Sequence, residues 1–469
     1  DAVYLQEVAQ KIPTEQPVHA VAIDKDDCFL LIERQIFKLV NDKVTPVKNS
    51  PTGVNRLLSE GGILWALSNA GIFKFDGEKW IKVDGRIFVD LCMHLGAVHG
   101  ATSEEIYRFE NDQFKSIKPA EGYLSSDITM LMEDGTQLLA DPVRLGPIER
   151  IDSYSGTLHI LRPGELVQFD GRLVNRNFID WGTLPSSTTR DLMSCGSRLY
   201  FTTERGLAVL RGAALHTIKG VDGLPVENTI CLEKGFDGDV WIGTARGAVR
   251  MLGNDWHYFG ADHWLPNNQV NGIAAAENIV YIATDGGLGI IRYLPYTLQK
   301  KAAYYERHLD EWGHKRLGFI HTVYRKGDEW IREVSDNDGG HTATYLAAMC
   351  YKYAATGDET AKNEALESFK AMLWLDRITP IDGFIARSIW STTADKDERG
   401  RHGSGGLPAK WYPTDDGNWY WKGDTSSDEV IAHFYSVSLF YDLVAEGREK
   451  ELAREHLIRM ASYIMDNGW

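Results

Sequence analysis

Two polar segments of the sequence bring together side chains that can move protons and hold an anion. The first segment, Trp419–Phe434, places three aromatic residues and a lysine just before a predicted helix. Ser426 and Glu429 fit a capping box, in which an N-cap serine is followed three residues later by a glutamate. His433 follows Glu429 by about one helical turn. Acids at a helix start also stabilise the helix dipole, so a structural role is the alternative for Asp428 and Glu429.

The second segment, Ser335–Thr342, reads SDNDGGHT and leads into a helix predicted over Ala343–Thr356. It places His341 within one turn of that helix start. The alternating oxygen ligands of Asp336–Asp338 suit calcium, but the EF-hand spacing with its distal glutamate is absent. Helix capping explains these residues more simply, so we expect no cofactor and keep calcium as a minor alternative.

The elements that position these segments are predicted to be paired helices. Apolar helices alternate with more charged ones across glycine-containing turns, a pattern typical of an α/α toroid with a cleft at the inner-helix N-termini. The long stretch Ile378–Trp421 contains a glycine-rich loop around His402 that could close over a ligand. The predicted helices are Leu298–Trp312, Ala343–Thr356, Glu359–Leu375, Ser426–Ala445 and Glu449–Met465.

The preceding part of the chain carries a repeat with a period near 40 residues. Thr203, Thr244 and Thr284 end matching apolar runs and are 41 and 40 residues apart. Each copy contains several short β-runs separated by glycine turns, which is typical of a propeller blade. We predict seven blades, with Val3–Val8 closing the last one and an insertion at Pro142–Gly164 in the fourth. The copies lie near 17–49, 54–85, 87–120, 128–182, 188–220, 228–260 and 270–293.

Composition excludes several classes of protein. A net charge of −16 without a basic face argues against a nucleic-acid partner. No run of about 18 apolar residues is present, so no membrane span is expected. Five widely spaced cysteines predict free thiols rather than a disulfide framework or a zinc site.

The repeats resemble the two-component-regulator propeller repeat, in which a Leu-Pro-x-Asn segment precedes a Trp-x-Gly-Thr-x-x-Gly strand. Leu224–Asn228 and Val240–Gly247 come nearest to this pattern. With the DNDGGHT and WKGDTSSDE segments, nearly the whole chain resembles the propeller-plus-α/α-barrel proteins among bacterial polysaccharide-degrading enzymes. The functional type it looks most like is the rhamnose–glucuronate lyase, which releases rhamnose from glucuronate in arabinogalactan side chains. The resemblance implies a glycan substrate and a periplasmic or secreted location.

β-Elimination from a uronate needs three groups: a partner that neutralises the carboxylate, a base for the C5 proton, and an acid for the leaving O4. Histidine and tyrosine suit the proton transfers, while arginine, lysine and asparagine suit the carboxylate. For any single histidine, a structural role in the core is the more common alternative. The candidate catalytic residues are His341, Tyr420, His433 and Arg387. The candidate substrate-binding residues are Asn337, Asp338, Trp419, Trp421, Lys422 and Glu429.

Two other function classes stay open. A glycoside hydrolase would use Asp338 with Asp428 or Glu429 as its carboxyl pair. A non-catalytic glycan-binding or sensing protein would use the repeats alone, because propellers serve sensors, scaffolds and enzymes alike.

The predicted fold is therefore a seven-bladed β-propeller over 1–293 followed by an α/α-toroid domain over 294–469. A closed toroid of six hairpins needs about twelve helices, and only about five fit here. We expect the remaining hairpins to come from a continuation of the chain or from a second polypeptide. In that case Val430–Met465 exposes a contiguous apolar surface.

Overall fold

The computed structural model describes residues 1–118, 145–169, 174–177, 184–212, 214–334, 336–393, 399–400 and 408–468. The chain forms two compact units. One is Val3–Tyr296, and the other consists of Asp1–Ala2 with Thr297–Trp469. Ser335, His402 and most of the glycine-rich loop lie outside the described residues, as does the start of the fourth predicted copy.

The described part of Val3–Tyr296 contains 28 strands in seven four-stranded antiparallel sheets. The strands of the first half are β1 (Tyr4–Pro13), β2 (Val18–Asp24), β3 (Asp27–Ile32), β4 (Gln35–Val40), β5 (Lys43–Pro46), β6 (Val54–Glu60), β7 (Ile63–Ser68), β8 (Gly71–Phe75), β9 (Trp80–Asp84), β10 (Asp90–His94), β11 (Ala97–Ala101), β12 (Ile106–Glu110) and β13 (Gln113–Ile117). Those of the second half are β14 (Arg150–Tyr154), β15 (Thr157–Arg162), β16 (Glu165–Phe169), β17 (Val174–Asn177), β18 (Thr189–Cys195), β19 (Arg198–Thr203), β20 (Gly206–Arg211), β21 (Ala214–Ile218), β22 (Thr229–Lys234), β23 (Val240–Thr244), β24 (Gly247–Leu252), β25 (Asp255–Phe259), β26 (Val270–Ala276), β27 (Ile279–Thr284) and β28 (Gly287–Tyr296).

The sheets follow one another in a cycle. Their first strands contact in the order β2, β6, β10, β14, β18, β22 and β26, and β26 also contacts β2. The last sheet has the order β1-β28-β27-β26, and β1 pairs with β28 from Tyr4 opposite Tyr296 to Pro13 opposite Gly287. The prediction that the N-terminal segment completes the last sheet is therefore confirmed, with a strand longer than Val3–Val8. The architecture of this unit is mostly β and propeller-like.

The predicted insertion at Pro142–Gly164 is wrong where the structure describes it. Arg150–Tyr154 and Thr157–Arg162 are the first two strands of the fourth sheet, β14 and β15. The error arose because this copy lacks the Thr-x-x-Gly turn by which the clearest copies were recognised.

That turn has a simple physical basis. Thr203 ends β19, donates from Oγ1 to the carbonyl oxygen of Gly206 (2.7 Å), and accepts from the backbone N–H of Arg205 (3.1 Å). Gly206 has φ +123°, a backbone conformation that side chains disfavour. The hydroxyl and the glycine together fix the turn into β20, which explains why both recur in four of the copies. The same donation to the glycine carbonyl is made by Ser68, Thr244 and Thr284.

Two aspartates link neighbouring sheets. Oδ2 of Asp90 on β10 accepts from the backbone N–H of Ile151 on β14 at 2.9 Å. Oδ2 of Asp191 on β18 likewise accepts from the N–H of Leu232 on β22 at 2.8 Å. These bonds run between first strands of successive sheets, so they hold the cycle together where strand pairing does not.

The unit that contains Thr297–Trp469 has five helices and several short strands among the described residues. The helices are α1 (Leu298–Glu311), α2 (Asp338–Thr356), α3 (Glu359–Arg377), α4 (Ser427–Leu443) and α5 (Gly447–Asn467). The strands are β29 (Lys315–Arg316), β30 (Phe319–Ile320), β31 (Val323–Lys326), β32 (Glu329–Arg332), β33 (Ile389–Trp390), β34 (Trp411–Pro413) and β35 (Tyr420–Lys422). They form two hairpins and the three-stranded sheet β33-β35-β34.

The helices form antiparallel pairs around one core. α2 contacts both α3 and α4, and α4 contacts α5. Leu346, Phe369, Met372 and Phe440 lie in the core between them, and the rings of Phe369 and Phe440 stack at 4.4 Å. No helix of the described residues combines the length and the apolar character needed to cross a bilayer.

The surface of α4 and α5 is mixed. Val437, Phe440, Ala453 and Met460 are buried on the inner sides of these helices. Other large apolar side chains are exposed: Ile431 (66%), Tyr435 (52%), Ile458 (50%) and Met465 (82%). Each of the two helices therefore buries apolar side chains on one face and exposes others on the remaining faces.

Candidate functional site

The first turn of α2 lies at the centre of the site. The helix begins at Asp338, five residues before the predicted start at Ala343, because Gly339 and Gly340 continue the helix instead of forming a turn. Asn337 precedes it with a left-handed backbone (φ +56°, ψ +34°), which asparagine tolerates better than most residues. Its side chain does not cap the helix and instead accepts a hydrogen bond from Arg387.

Asp338 is fully buried and accepts hydrogen bonds from the loop that follows Arg387. Its Oδ2 accepts from the hydroxyl of Ser388 (2.7 Å) and from the backbone N–H of Ile389 (3.3 Å). Its Oδ1 lies 3.1 Å from Nδ1 of His321, although the two groups are not aligned for a hydrogen bond. Asp338 therefore fixes the loop after Arg387 to the start of α2.

Glu429 reaches across from the first turn of α4. Its Oε2 accepts from the backbone N–H of Gly340 at 3.0 Å, while Oε1 is buried without a hydrogen-bond partner in the described structure. Burial, followed by the nearby charge of Asp338, raises the pKa of Glu429 to about 8. The carboxyl group is thus protonated at neutral pH and can donate a proton.

The capping box predicted at the start of α4 does not form its hydrogen bonds. Ser426 is the N-cap residue as predicted, but its side chain makes no capping bond. The Ser426 hydroxyl accepts from Arg387 instead, and Glu429 caps α2 rather than its own helix. Tertiary contacts have replaced the local ones.

Arg387 joins the two helix starts. Nη2 donates to Oδ1 of Asn337 (2.8 Å), and Nη1 donates to Oγ of Ser426 (2.9 Å) and to the carbonyl oxygen of Asp424 (3.2 Å). Nε donates to the carboxylate of Asp336. Burial lowers the pKa of Arg387, but the hydrogen bond and charge of Asp336 outweigh it, so the pKa lies above its usual value. Arg387 is a permanent, well-held cation.

Lys422 supplies a second buried cation beside the first. Its Nζ lies 3.5 Å from Oδ1 of Asp336 and 3.9 Å from Oδ2 of Asp424. The side chain is 1% exposed, whereas that of Asp336 is 49% exposed. A carboxylate of the chain itself therefore occupies the place that the two cations create.

His341 is the half-buried histidine of the site. Its Nδ1 has no hydrogen-bond partner in the described structure, and its backbone N–H bonds to the carbonyl oxygen of Asn337. Burial lowers the pKa of His341, and the nearby Asp338 only partly opposes this effect. The ring is therefore neutral at pH 7 and able to accept a proton.

His433 is completely buried one turn after Glu429. Its Nδ1 lies 2.9 Å from Nε2 of His456, while its Nε2 has no partner and faces Gly339. Burial lowers the pKa of His433 well below its usual value, and the neighbouring His456 acts in the same direction. Because His433 has no exposed surface, it can influence the site only through the side chains that it contacts.

The aromatic candidates divide between the two faces of β35. Because side chains alternate along a strand, Tyr420 shares a face with Lys422, and Trp421 points to the other side. Trp421 is buried and stacks on Tyr412 at 4.6 Å. Trp419 packs edge-on against Trp374 at 4.7 Å. Trp419 and Trp421 belong to the core cluster rather than to an open sugar-binding surface.

Tyr420 is half-buried beside a cation. Its ring lies 6.0 Å from that of Trp390 and 5.0 Å from the guanidinium of Arg399. No described group holds its hydroxyl.

Contacts among the described residues connect seven of the ten predicted site residues, and an eighth lies nearby. Asn337, Asp338, His341, Arg387, Lys422, Glu429 and His433 share partners around the start of α2, and Tyr420 lies on the same strand face as Lys422. Four further residues were missed by the sequence analysis: His321, Ser388, Asp376 and His456. Ser388 directly follows Arg387, but the other three lie in elements without a local polar motif. Among the described residues, no group of three or more His, Cys, Asp or Glu is arranged to hold a metal ion.

Comparison with known proteins finds only distant structural likenesses. No protein-family model matches the chain, and no curated protein is similar to it. The extracellular domain assigned to the hybrid two-component system BT3049 of B. thetaiotaomicron shares 14% identity with a TM-score of 0.48, over 70% of this chain and 46% of that one. The corresponding domain of BT4673 from the same organism shares 12% identity with a TM-score of 0.46, over 71% of this chain and 45% of that one. Virginiamycin B lyase from Staphylococcus aureus shares 13% identity with a TM-score of 0.43, over 62% of this chain and all of that one.

The chain thus spans about half the length of the first of these structures. At this identity and TM-score the likenesses carry no argument about activity. The function must be argued from the site itself.

Proposed function

We propose that the chain belongs to a carbon–oxygen lyase that cleaves a uronate-containing glycan by β-elimination. The observation that carries the proposal is the meeting of two buried cations, Arg387 and Lys422, with uncharged proton carriers at the start of α2. A lyase needs a cationic place for the uronate carboxylate and neutral groups that exchange protons beside it. A protein that only bound a neutral sugar would need neither.

The carboxylate of the substrate would bind where Asp336 now lies. Arg387 and Lys422 supply the charge, and the amide of Asn337 supplies a further polar contact. Neutralising the carboxylate makes the C5 proton more acidic, because the negative charge that develops on deprotonation is stabilised. Asp336 is half exposed, so it can give way to a ligand with little rearrangement.

Proton transfer falls to His341 and Glu429. Neutral His341 takes the C5 proton, the C5–H electron pair forms the C4–C5 double bond, and the C4–O4 bond breaks. The leaving O4 takes its electron pair and receives the proton of Glu429, whose pKa of about 8 keeps it protonated at pH 7. Tyr420, on the same strand face as Lys422, is the alternative donor.

The substrate proposed from the sequence resemblance is a rhamnose–glucuronate cap of an arabinogalactan side chain. The seven sheets then form a seven-bladed propeller that serves as scaffold, and the helices form part of an α/α toroid. A periplasmic or secreted location goes with such a substrate.

Two alternatives have a specific observation in their favour. Glu429 and Asp338 are neighbouring buried carboxyl groups, and a raised pKa on one of them is what a glycoside hydrolase requires of its acid. Glu429 and His433 are at most 1% exposed, which favours a site that binds glycan without turnover.

The deciding experiment incubates the purified chain with oligosaccharides that end in rhamnose–glucuronate. Ultraviolet absorbance reports the conjugated unsaturated uronate, and a reducing-end assay reports any cleavage. We expect both signals to rise together, and both to fall about 100-fold or more in His341→Ala. His308→Ala, which removes a histidine of α1 paired with Glu311, is the matched control and keeps full activity.

New reducing ends without the absorbance would replace the lyase with a hydrolase. Neither signal, together with retained glycan binding, would make the protein a binding module.

A further inference from the structure

A continuous line of buried polar groups leads away from the site behind His433. Nδ1 of His433 on α4 lies 2.9 Å from Nε2 of His456 on α5. Nδ1 of His456 lies 3.2 Å from Oδ2 of Asp376 at the end of α3. Asp376 accepts from both Nε (3.1 Å) and Nη2 (3.2 Å) of Arg459. Both histidines and Asp376 are 0% exposed, so the contacts are shielded from water.

The chemistry of this line fixes which nitrogens carry protons. Burial raises the pKa of Asp376, but hydrogen bonds from His456 and Arg459 outweigh it, and the pKa lies below its usual value. An ionised carboxylate only accepts hydrogen bonds, so Nδ1 of His456 must be the donor. Because Arg459 already balances the charge of this carboxylate, His456 needs no second proton, and its bare Nε2 accepts from Nδ1 of His433.

The other nitrogen of His433 faces the candidate acid. A Cβ placed on Gly339 would lie 2.8 Å from Nε2 of His433 and would collide with Oε2 of Glu429. Both polar atoms therefore converge on the same point beside the first turn of α2. Neither Nε2 of His433 nor Oε1 of Glu429 has a hydrogen-bond partner in the described structure, although both are buried.

The buried relay is defined as Arg459, Asp376 and His456. We infer that the buried relay keeps Nε2 of His433 unprotonated, so that it faces Glu429 as a hydrogen-bond acceptor. An acceptor beside a carboxyl group favours the protonated acid. The relay thus helps to hold the proton on Glu429 against the neighbouring Arg387, whose charge favours the carboxylate; Asp338 and Asp428 act with the relay. Its members are positioning residues, and their role in catalysis rests on the function proposed above.

The first test needs no substrate. The full chain is labelled with ¹⁵N-histidine, the ring nitrogens are measured by long-range ¹H–¹⁵N correlation, and His433 is assigned by its loss in His433→Gln. We expect wild-type His433 to carry its proton on Nδ1. In His456→Phe the ring offers no acceptor, so the proton should move to Nε2. In His456→Gln the side-chain oxygen replaces the lost acceptor, and the wild-type tautomer should remain.

A proton on Nε2 of wild-type His433 would overturn the inference, as would an unchanged tautomer in folded His456→Phe. If His456→Phe does not fold, wild type and His456→Gln decide the matter. A proton on Nδ1 of His433 in both supports the inference, and a proton on Nε2 in either overturns it.

The second test is the pH profile of turnover. An Nε2–H facing Glu429 favours its carboxylate, so the basic limb should move down by about one pH unit in His456→Phe. It should stay in place in His456→Gln and in His159→Phe, which removes a fully buried histidine from β15. Loss of stability alone would not move the limb. An absence of turnover in wild type would refute the proposed function and leave the tautomer result standing, whereas turnover with an unmoved limb would refute the relay alone.

Discussion

The backbone N–H of Gly340 donates a hydrogen bond of 3.0 Å to Oε2 of Glu429. This contact joins the first turn of α2 to the first turn of α4, which are 89 residues apart in sequence. It places a carboxyl group over the positive end of the α2 dipole, where an anion is usually favoured. Glu429 nevertheless has a raised pKa, because burial and the adjacent Asp338 outweigh that effect. The protonated state of Glu429 is therefore a property of the tertiary fold.

The first prediction concerns the stability of the helical unit with pH. The pKa of Glu429 is raised from 4.5 to about 8 in the folded chain, so the folded state binds this proton more tightly than the unfolded state. The stability it contributes is present below about pH 4.5 and is lost as pH rises toward 8. Glu429→Gln should therefore exceed wild type in stability by a gap that grows from about pH 5 to 8 and reaches on the order of 3 kcal/mol. Thermal melts followed by helix circular dichroism measure the gap.

The exposed Glu329 on β32 supplies the control. Glu329→Gln should show a difference from wild type that does not change over the same pH range. A constant gap for Glu429→Gln as well would mean that Glu429 is already ionised at neutral pH.

The second prediction concerns Gly339. A methyl group there would collide with Glu429 Oε2 and lie 2.8 Å from Nε2 of His433, closer than real contacts allow. Helix propensity alone would make Gly339→Ala more stable by about 1 kcal/mol. We expect instead a loss of about 1–3 kcal/mol from overpacking, with turnover reduced tenfold or more.

Gly357 at the other end of α2 is the matched position. It has φ +69° with nothing within 4 Å, so Gly357→Ala should cost about 1 kcal/mol through backbone strain and leave turnover unchanged. A stabilised, fully active Gly339→Ala would contradict the convergence of Glu429 and His433 on this point.

The third prediction uses Asp336 as a built-in competitor. Its carboxylate contacts both Arg387 and Lys422, so Asp336→Asn removes a negative charge from beside the two cations. Glucuronate should then bind about three- to tenfold more tightly, because a charge that repels it has been removed. Titration calorimetry with glucuronate measures the change. Asp328→Asn, at a fully exposed turn, should leave the affinity as in wild type, and weaker binding in Asp336→Asn would place the anion elsewhere.

The sequence predicted the helices and strands of this fold better than the tertiary contacts between them. The Thr-x-x-Gly turns are local, because Thr203 and Gly206 bond to each other, so the repeat is visible in sequence. Helix α3 begins at Glu359 as predicted, because Asp358 caps it with its own side chain. Elements defined by such short-range bonds could be predicted.

The site depends on bonds that the sequence does not display. Glu429 and Ser426 have the right spacing for a capping box, yet each bonds to a different part of the chain. His456 lies within an amphipathic helix whose pattern gives no sign that it meets Asp376, 80 residues earlier. Residue types at helix starts indicated where a site could be, but the pairing of donors with acceptors required the tertiary structure.

The fourth prediction concerns the aspartates between sheets. Asp90 is 2% exposed, accepts from the N–H of Ile151 and pairs with Arg56 at 3.1 Å. Asp90→Ala leaves a buried N–H without its acceptor and removes the nearer of the two carboxylates that pair with Arg56, and should cost about 3 kcal/mol. Urea unfolding followed by tryptophan fluorescence measures the loss. Asp262→Ala at an exposed turn should change the midpoint little, and equal effects of the two would remove the aspartate from the stability of the cycle.

The last prediction tests how the cycle of sheets is closed. Gly287 starts β28 with φ +131°, and a Cβ added there would collide with the carbonyl oxygen of Ile12 on β1. Gly287→Ala therefore suffers both backbone strain and a clash with the closing strand, and should cost about 3 kcal/mol in urea unfolding. Gly196→Ala has φ +59° with nothing within 4 Å, so it should cost only about 1 kcal/mol of strain. If the two substitutions cost the same, β1 does not press against β28, and the N-terminal strand contributes less to closure than its ten-residue pairing indicates.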